Sequence, residues 1–198
     1  MDPANTPDWS ALDRALLAHP CLDAREAEDV ARVRSFLRAH PVDAHLRSQP
    51  LGHLTGSAFV LNDARDRVLL LHHGKLKRWL QPGGHGEGEL DPREIALREV
   101  EEETGLAQQD LRALVPHDGP ASIATLFDVD IHVIPARPNE PAHDHLDLRF
   151  AFVARLGAAA RLSEESRALD WFPLSNPPAD SDPALLRAFA KLRTLAER

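Results

Sequence analysis

A single cysteine, Cys21, stands among 198 residues. That scarcity excludes an internal disulfide and any zinc site built from several cysteines, and it suits a reducing compartment. Long apolar runs are missing too, since none approaches the ~20 residues needed to cross a bilayer. The N-terminal stretch MDPANTPDWSALDRALLAHP has no basic start followed by an apolar segment. No secretory signal is read there, and a cytoplasmic protein is expected. Positive charge is in short supply, with 23 Lys and Arg against 31 Asp and Glu and a formal net charge of −8. This balance argues against nonspecific binding to nucleic acid or to a membrane surface. An anionic substrate would be repelled unless cations came with it. Internal repeats and low-complexity tracts are also absent.

What is present is globular. The 43% hydrophobic and 27% charged content suits one ordinary domain plus an extension. From Trp9 to about His40, apolar residues recur at three- and four-residue spacings. Two amphipathic helices are expected there, ended by Pro20 and Pro41. Their stripes, Leu12, Leu16 and Leu17, then Val30, Val33, Phe36 and Leu37, must be covered by the rest of the chain or across a homodimer. Strands are expected at Ala58–Leu61 and Val68–Leu71, around a turn at Asn62–Asp66, and again at 122–134, 146–154 and Leu169–Phe172. In 146–154, Leu146, Leu148, Phe150 and Phe152 alternate with Asp147 and Arg149, so one face should be buried. Pro135–Asp144 reads as a proline-rich loop and Pro183–Glu197 as a closing helix. A central helix should begin at Asp91-Pro-Arg-Glu94, which offers an N-cap, a first-turn proline and a capping-box acid, and end at Gly105. Strands around one central helix, with helices at both ends, predict a mixed α/β sandwich.

That central helix carries Glu99, Glu101, Glu102 and Glu103 within five residues. At about 3.6 residues per turn, Glu99, Glu102 and Glu103 share one face, while Glu101 points away. Like charges so placed destabilise a helix by a few tenths of a kcal/mol each. Either the face is simply solvated, or the carboxylates hold a hard divalent cation such as Mg²⁺ or Mn²⁺, which takes oxygen ligands of this kind. The Gly83-Gly84 pair just upstream lets the backbone come close to a ligand.

The wider spacing decides between these readings. Gly84 is followed fourteen residues later by Arg98-Glu99-Val100, then Glu102-Glu103, Gly105 and Leu106. This pattern resembles the signature of the Nudix hydrolases, a loop–helix–loop with several specified positions at fixed separation. Val68–Leu71, the turn Trp79-Leu-Gln-Pro-Gly-Gly84 and the late segment SEESRALDWFPL at 163–174 are similar to other parts of that family. The likeness covers about residues 51–198, leaving 1–50 as an N-terminal helical extension. It implies an α/β/α sandwich with a mixed β-sheet, and Mg²⁺- or Mn²⁺-dependent hydrolysis of a diphosphate bond in a nucleoside-diphosphate-linked small molecule. By resemblance, Glu99 and Glu103 are the principal metal ligands and Glu102 shares a second ion. Arg98 orients the carboxylates, and a Gly83 or Gly84 carbonyl completes a coordination shell. One position departs from the pattern: the signature's earlier glutamate is Leu90 here, with Glu89 next to it as the replacement. Glu164 or Glu165 lies in the loop where relatives often place a further ligand or base.

Two other readings use the same features. Leu90 leaves room for a catalytically weak Nudix-fold sensor that binds nucleotides or a partner. An isoprenoid diphosphate isomerase shares the fold but usually requires a suitably placed cysteine, and Cys21 lies outside the domain. Upstream of the acids, His85 follows the two glycines and is placed to meet phosphate. Lys75 and Arg78 could bind phosphate electrostatically and Trp79 could stack on a base, against the plainer readings of a solvated loop and a rim aromatic. Of eleven histidines, His143-Asp-His145 with His132 invite a zinc hypothesis, but they fall in or beside the expected loop, and a metal role there is the lesser reading.

Overall fold

The computed structural model of the chain describes residues 7–114, 126–138, 140–161 and 166–197. Eight strands form one sheet: β1 (Gly52–Leu61), β2 (Arg67–His73), β3 (Arg78–Leu80), β4 (Gly83–His85), β5 (Leu111–Ala113), β6 (Asp128–Ile134), β7 (His143–Ala154) and β8 (Ser166–Pro173). Central β1 and β7 run parallel, in register from Gly52 opposite Asp144 to Leu61 opposite Val153. Every other named pairing is antiparallel, so the sheet is mixed. Each central strand shares its outer edge between two partners. β4 takes Thr55–Ser57 of β1 and β2 takes Val60 and Leu61, while β6 and β5 divide β7 in the same way.

Helix α3 (Pro92–Thr104) covers one face and α4 (Pro183–Ala196) the other, giving the expected α/β/α sandwich. Strand alternation builds both cores. Leu54, Ala58 and Val60 of β1 meet Ala96, Leu97 and Val100 of α3, whereas Phe59 and Leu61 meet Leu185, Phe189 and Leu192 of α4. α3 lies so close to β1 that a Cβ on Gly56 would sit 2.3 Å from the Pro92 carbonyl oxygen. Only glycine permits that approach.

The N-terminal helices, α1 (Ser10–Ala18) and α2 (Ala24–Ala39), end just before His19-Pro20 and His40-Pro41. Their stripe is covered within the chain. Leu12, Leu16, Val30, Val33 and Leu37 join Leu54, Ile131 and Leu146 in one core, each such burial stabilising by about 1.5–3 kcal/mol. Leu17, assigned to the stripe from its spacing, is instead 67% exposed, because α1 turns only its Leu12–Leu16 edge inward. Polar ties hold the pair in place: Arg34 to Asp13 at 2.7 Å, Arg32 to Asp144 at 2.8 Å, and Arg25 to the Ile131 carbonyl at 3.2 Å.

Three other expectations shift. The strand placed at 122–134 begins at Asp128, and 122–125 lie outside the described residues. The strand placed at 146–154 begins at His143, so the proline-rich loop is shorter than its composition indicates. Asp147 and Arg149, expected opposite a buried face, are themselves 3% and 5% exposed. Pairing permits this burial. Arg149 contacts Asp147, Asp128 and Asp130 at 2.8, 3.3 and 3.0 Å, and Arg187 and Lys191 of α4 close on Asp128 at 2.9 and 3.0 Å.

Candidate active site

α3 is set by its ends. The Asp91 side chain accepts from the Arg93 N–H at 2.9 Å, Pro92 opens the first turn, and Gly105 closes the helix at φ +67°. The expected capping-box acid, Glu94, pairs instead with the Arg93 guanidinium at 2.8 Å. Ile95, Ala96, Leu97 and Val100 face the sheet. That orientation leaves Arg98, Glu99, Glu102 and Glu103 along the border between helix and β4.

The border is tightly fitted. Glu99 lies against Gly84, where an added Cβ would come within 2.6 Å of its Oε1. Glu103 accepts the Gly83 N–H at 3.0 Å. Arg98 pairs with Glu99 at 3.0 Å and with Glu102 at 3.2 Å, and also donates to the His85 carbonyl. Burial pushes the Glu99 carboxyl up to about 7, with Glu102 and Glu87 adding to the rise and Arg98 opposing it. Glu99 is thus a half-buried carboxylate short of positive charge, although it touches an arginine. A divalent cation would supply that charge, so the donor set fits one. Glu101, on the far side, is exposed.

The remaining candidates are placed differently. Glu89 is exposed, and its Oε1 accepts from the Leu90 and Asp91 N–H groups at 2.7 and 2.9 Å, so it braces the turn into α3. Leu90 is 40% exposed. Lys75 sits in the exposed turn between β2 and β3. Arg78 pairs at 3.0 Å with Asp182, the N-cap of α4, and Trp79 stands edge-on to Phe172 at 4.8 Å. These three cluster along β3, with Trp79 at the border of the α4-side core. Glu164 and Glu165 lie outside the described residues.

His85 belongs to a second group, of which the sequence singled out His143 and His145 but not His53. Its backbone meets Arg98, but its ring reaches the other way, to His145, with Nε2 atoms 3.3 Å apart. His53, His143 and His145 complete a nest of rings, with centroids 4.9–5.3 Å apart. Burial, reinforced by His85, His143 and Arg47, holds the His53 imidazole down at about 4. His145 is likewise held well below the usual range, by burial first and then by its histidine neighbours. Beside the nest, Asp147 accepts from Ser57, Thr55 and Gln81 at 2.8, 3.1 and 3.4 Å.

A sequence model of the NUDIX domain matches residues 52–192. The chain belongs to the Nudix family. Among relatives of this Nudix hydrolase is a "Probable DHNTP pyrophosphohydrolase" of Lactococcus lactis subsp. cremoris strain MG1363. It is 28% identical over 129 residues, covering 64% of this chain and 69% of that protein. A solved NUDIX-family hydrolase from Clostridium perfringens is 29% identical with a TM-score of 0.51, over 72% of this chain and 97% of that one. A solved UDP-X diphosphatase, 18% identical with a TM-score of 0.50, covers 94% of this chain and 89% of that one. Its likeness in fold reaches into the first fifty residues, ahead of the family match. Nudix hydrolases generally use divalent metal ions, and their substrates are nucleoside diphosphate-linked compounds. Among the described residues, no helix is long and apolar enough to cross a membrane.

Proposed function

We propose that this Nudix hydrolase is a Mg²⁺- or Mn²⁺-dependent pyrophosphohydrolase that cleaves the diphosphate bond of a small nucleoside-diphosphate-linked compound. The observation that carries the reading is the Glu99 carboxylate, half-buried and packed against Gly84 with its charge incompletely balanced. Glu99 and Glu103 hold the cation, with Glu102 at the exposed end of the same face and a Gly83 or Gly84 carbonyl as a further oxygen donor. When bound, such a cation neutralises charge on the diphosphate and lowers the pKa of a water.

The chain's own residues do the rest. Arg98 bridges Glu99, Glu102 and the His85 carbonyl, so it fixes the carboxylates relative to the glycine turn. Glu103 is oriented by the Gly83 N–H. Glu89 serves through the turn it braces, and the base comes from another acid, with Glu165 or Glu164 first in line. His85, expected to meet a phosphate, turns its ring to His145 instead, while Lys75, Arg78 and Trp79 border the substrate on the β3 side. The name of the Lactococcus relative, a probable DHNTP pyrophosphohydrolase, supports a pyrophosphate bond as the point of cleavage.

The test is a panel of nucleoside-diphosphate sugars, dinucleotides, nucleoside triphosphates and coenzyme A, each with Mg²⁺ and with Mn²⁺. Hydrolysis of at least one member to two phosphate-containing products, or to pyrophosphate and a monophosphate, is expected. Binding of metal and nucleotide without turnover anywhere, at micromolar enzyme, would favour the sensor reading that Leu90 invites.

A further inference from the structure

We propose that His53, His143 and His145 form a second metal site, chemically distinct from the carboxylates of α3, which takes a borderline-soft divalent ion, Zn²⁺ first. One ligand nitrogen from each of the three rings lies within 4.8 Å of the others. His53 and His143 are buried and His145 is half-buried.

Sheet register assembles the group. His53 of β1 stands opposite His145 of β7, and His143 lies two residues back along β7, so all three side chains leave the same face. The strongest single observation is His53. It is 1% exposed, and among the described residues neither of its ring nitrogens has a hydrogen-bond partner. An unsatisfied buried polar group destabilises the fold, and coordination removes that cost for the ligating nitrogen. His143 is oriented as metal-binding histidines usually are. Its Nδ1 donates to the Pro141 carbonyl at 2.9 Å, which leaves the Nε2 electron pair, 3.9 Å from the Glu140 carboxylate, for a metal.

Neutral imidazoles select zinc and its neighbours, whereas Mg²⁺ demands oxygen ligands, so the two sites would not compete for one ion. Three histidines leave a fourth position open, the arrangement that zinc sites keep for water or an anion. His85, with its Nε2 3.3 Å from that of His145, stands at that opening, one residue after the phosphate-turn glycines. The plainer account is a nest of packed neutral rings that binds nothing.

The experiment uses the full-length chain freed of metal by chelator, titrated with Zn²⁺ alone and, separately, with Co²⁺ alone. We expect one tightly held Zn²⁺ per chain, and an intense visible Co²⁺ spectrum of the kind nitrogen ligands in a tetrahedral site produce. His53→Ala and His145→Gln should each weaken Zn²⁺ binding by at least about 10- to 100-fold, the range that even outer-shell losses cause. Glu99→Gln should retain Zn²⁺ affinity within about twofold. If His53→Ala fails to fold, the half-buried His145→Gln and the wild-type Co²⁺ spectrum decide. No Zn²⁺ binding at micromolar concentration, a weak octahedral Co²⁺ spectrum, or loss of Zn²⁺ in Glu99→Gln rather than in His145→Gln would each overturn the site. These outcomes do not depend on turnover, so they stand apart from the hydrolase reading.

Discussion

Two groups of ligand-type side chains flank strand β4, and they are built in opposite ways. The carboxylates on α3 come from five consecutive residues, and helical periodicity alone gathers three of them on one face. The histidines come from β1, β4 and β7, with His53, His85 and the His143–His145 pair far apart along the chain, and only the pairing of those strands gathers them. The first group presents hard oxygens to the phosphate turn; the second presents imidazole nitrogens behind it. A short local pattern can therefore specify one kind of site, while a site of another chemistry beside it is specified by sheet register.

The comparison predicts that damage on α3 and damage on the sheet will differ in kind. The largest effect belongs to the helix. Glu99→Gln or Glu103→Gln should lower kcat by about a thousandfold or more, through loss of a charged metal ligand. The far-UV circular dichroism should stay unchanged. Near-normal turnover of both variants at saturating Mg²⁺ or Mn²⁺ would remove the carboxylate mechanism.

On the sheet the largest losses should be of stability. Asp128 is fully buried between Arg149, Arg187 and Lys191. Asp128→Ala removes the carboxylate that all three cations share, leaving Arg149 to Asp147 and Asp130 and Lys191 to Glu26, and should cost about 3–5 kcal/mol, read as a lower urea midpoint. A loss below about 1 kcal/mol would mean that water reaches the ladder.

Acid should attack the same ladder. Burial alone would raise the Asp130 carboxyl, but Arg149, then His132 and Arg187, hold it well below its ordinary value of 3.8. For Glu26 burial again opposes, and hydrogen bonds from His19 and Lys191 hold the group well below 4.5. With both folded values depressed, the unfolded chain takes up protons first as pH falls. Their contribution is therefore present above about pH 4.5 and lost progressively below it. Unfolding free energy measured from pH 6 to pH 3 should fall in the lower half of that range, with a shallower slope in Asp130→Asn.

Much of the helix-borne site was legible because its information is local. Arg98, Glu99, Glu102 and Glu103 are fixed relative to one another by helix geometry, and Asp91, Pro92 and Gly105 mark the ends of that helix. The sandwich was legible for a similar reason, since alternation in β7 and the stripes on α1 and α2 report which face is buried. The histidine nest was legible only in part, in His143 and His145. His143 and His145 follow a proline-rich stretch, and nothing near His53 signals that it pairs opposite His145. The charged ladder was hidden by the same alternation that revealed the strand: Asp147 and Arg149 look like a solvated face until β6 and α4 supply their partners.

Smaller effects should separate positioning from chemistry on α3 itself. Glu89→Gln keeps an oxygen to accept the Leu90 and Asp91 N–H groups. It should lower kcat by no more than about tenfold, below the roughly 10²- to 10⁴-fold that a lost acid–base group costs. A drop of several orders of magnitude would instead make Glu89 the replacement for the acid missing at Leu90. Glu101→Gln, one residue from Glu102 but on the exposed side, should change kcat by less than about twofold, since surface changes are worth within about ±0.5 kcal/mol.

The central claim is that the α3 carboxylates serve attack of water on phosphorus. Single-turnover hydrolysis in ¹⁸O-labelled water, with whichever substrate the panel reveals, tests it most directly by mass spectrometry. One ¹⁸O atom should appear in a single phosphate-containing product, and Glu99→Gln should slow its appearance by the same factor as kcat. Label found only in a product without phosphate would mean attack at carbon and would contradict the account.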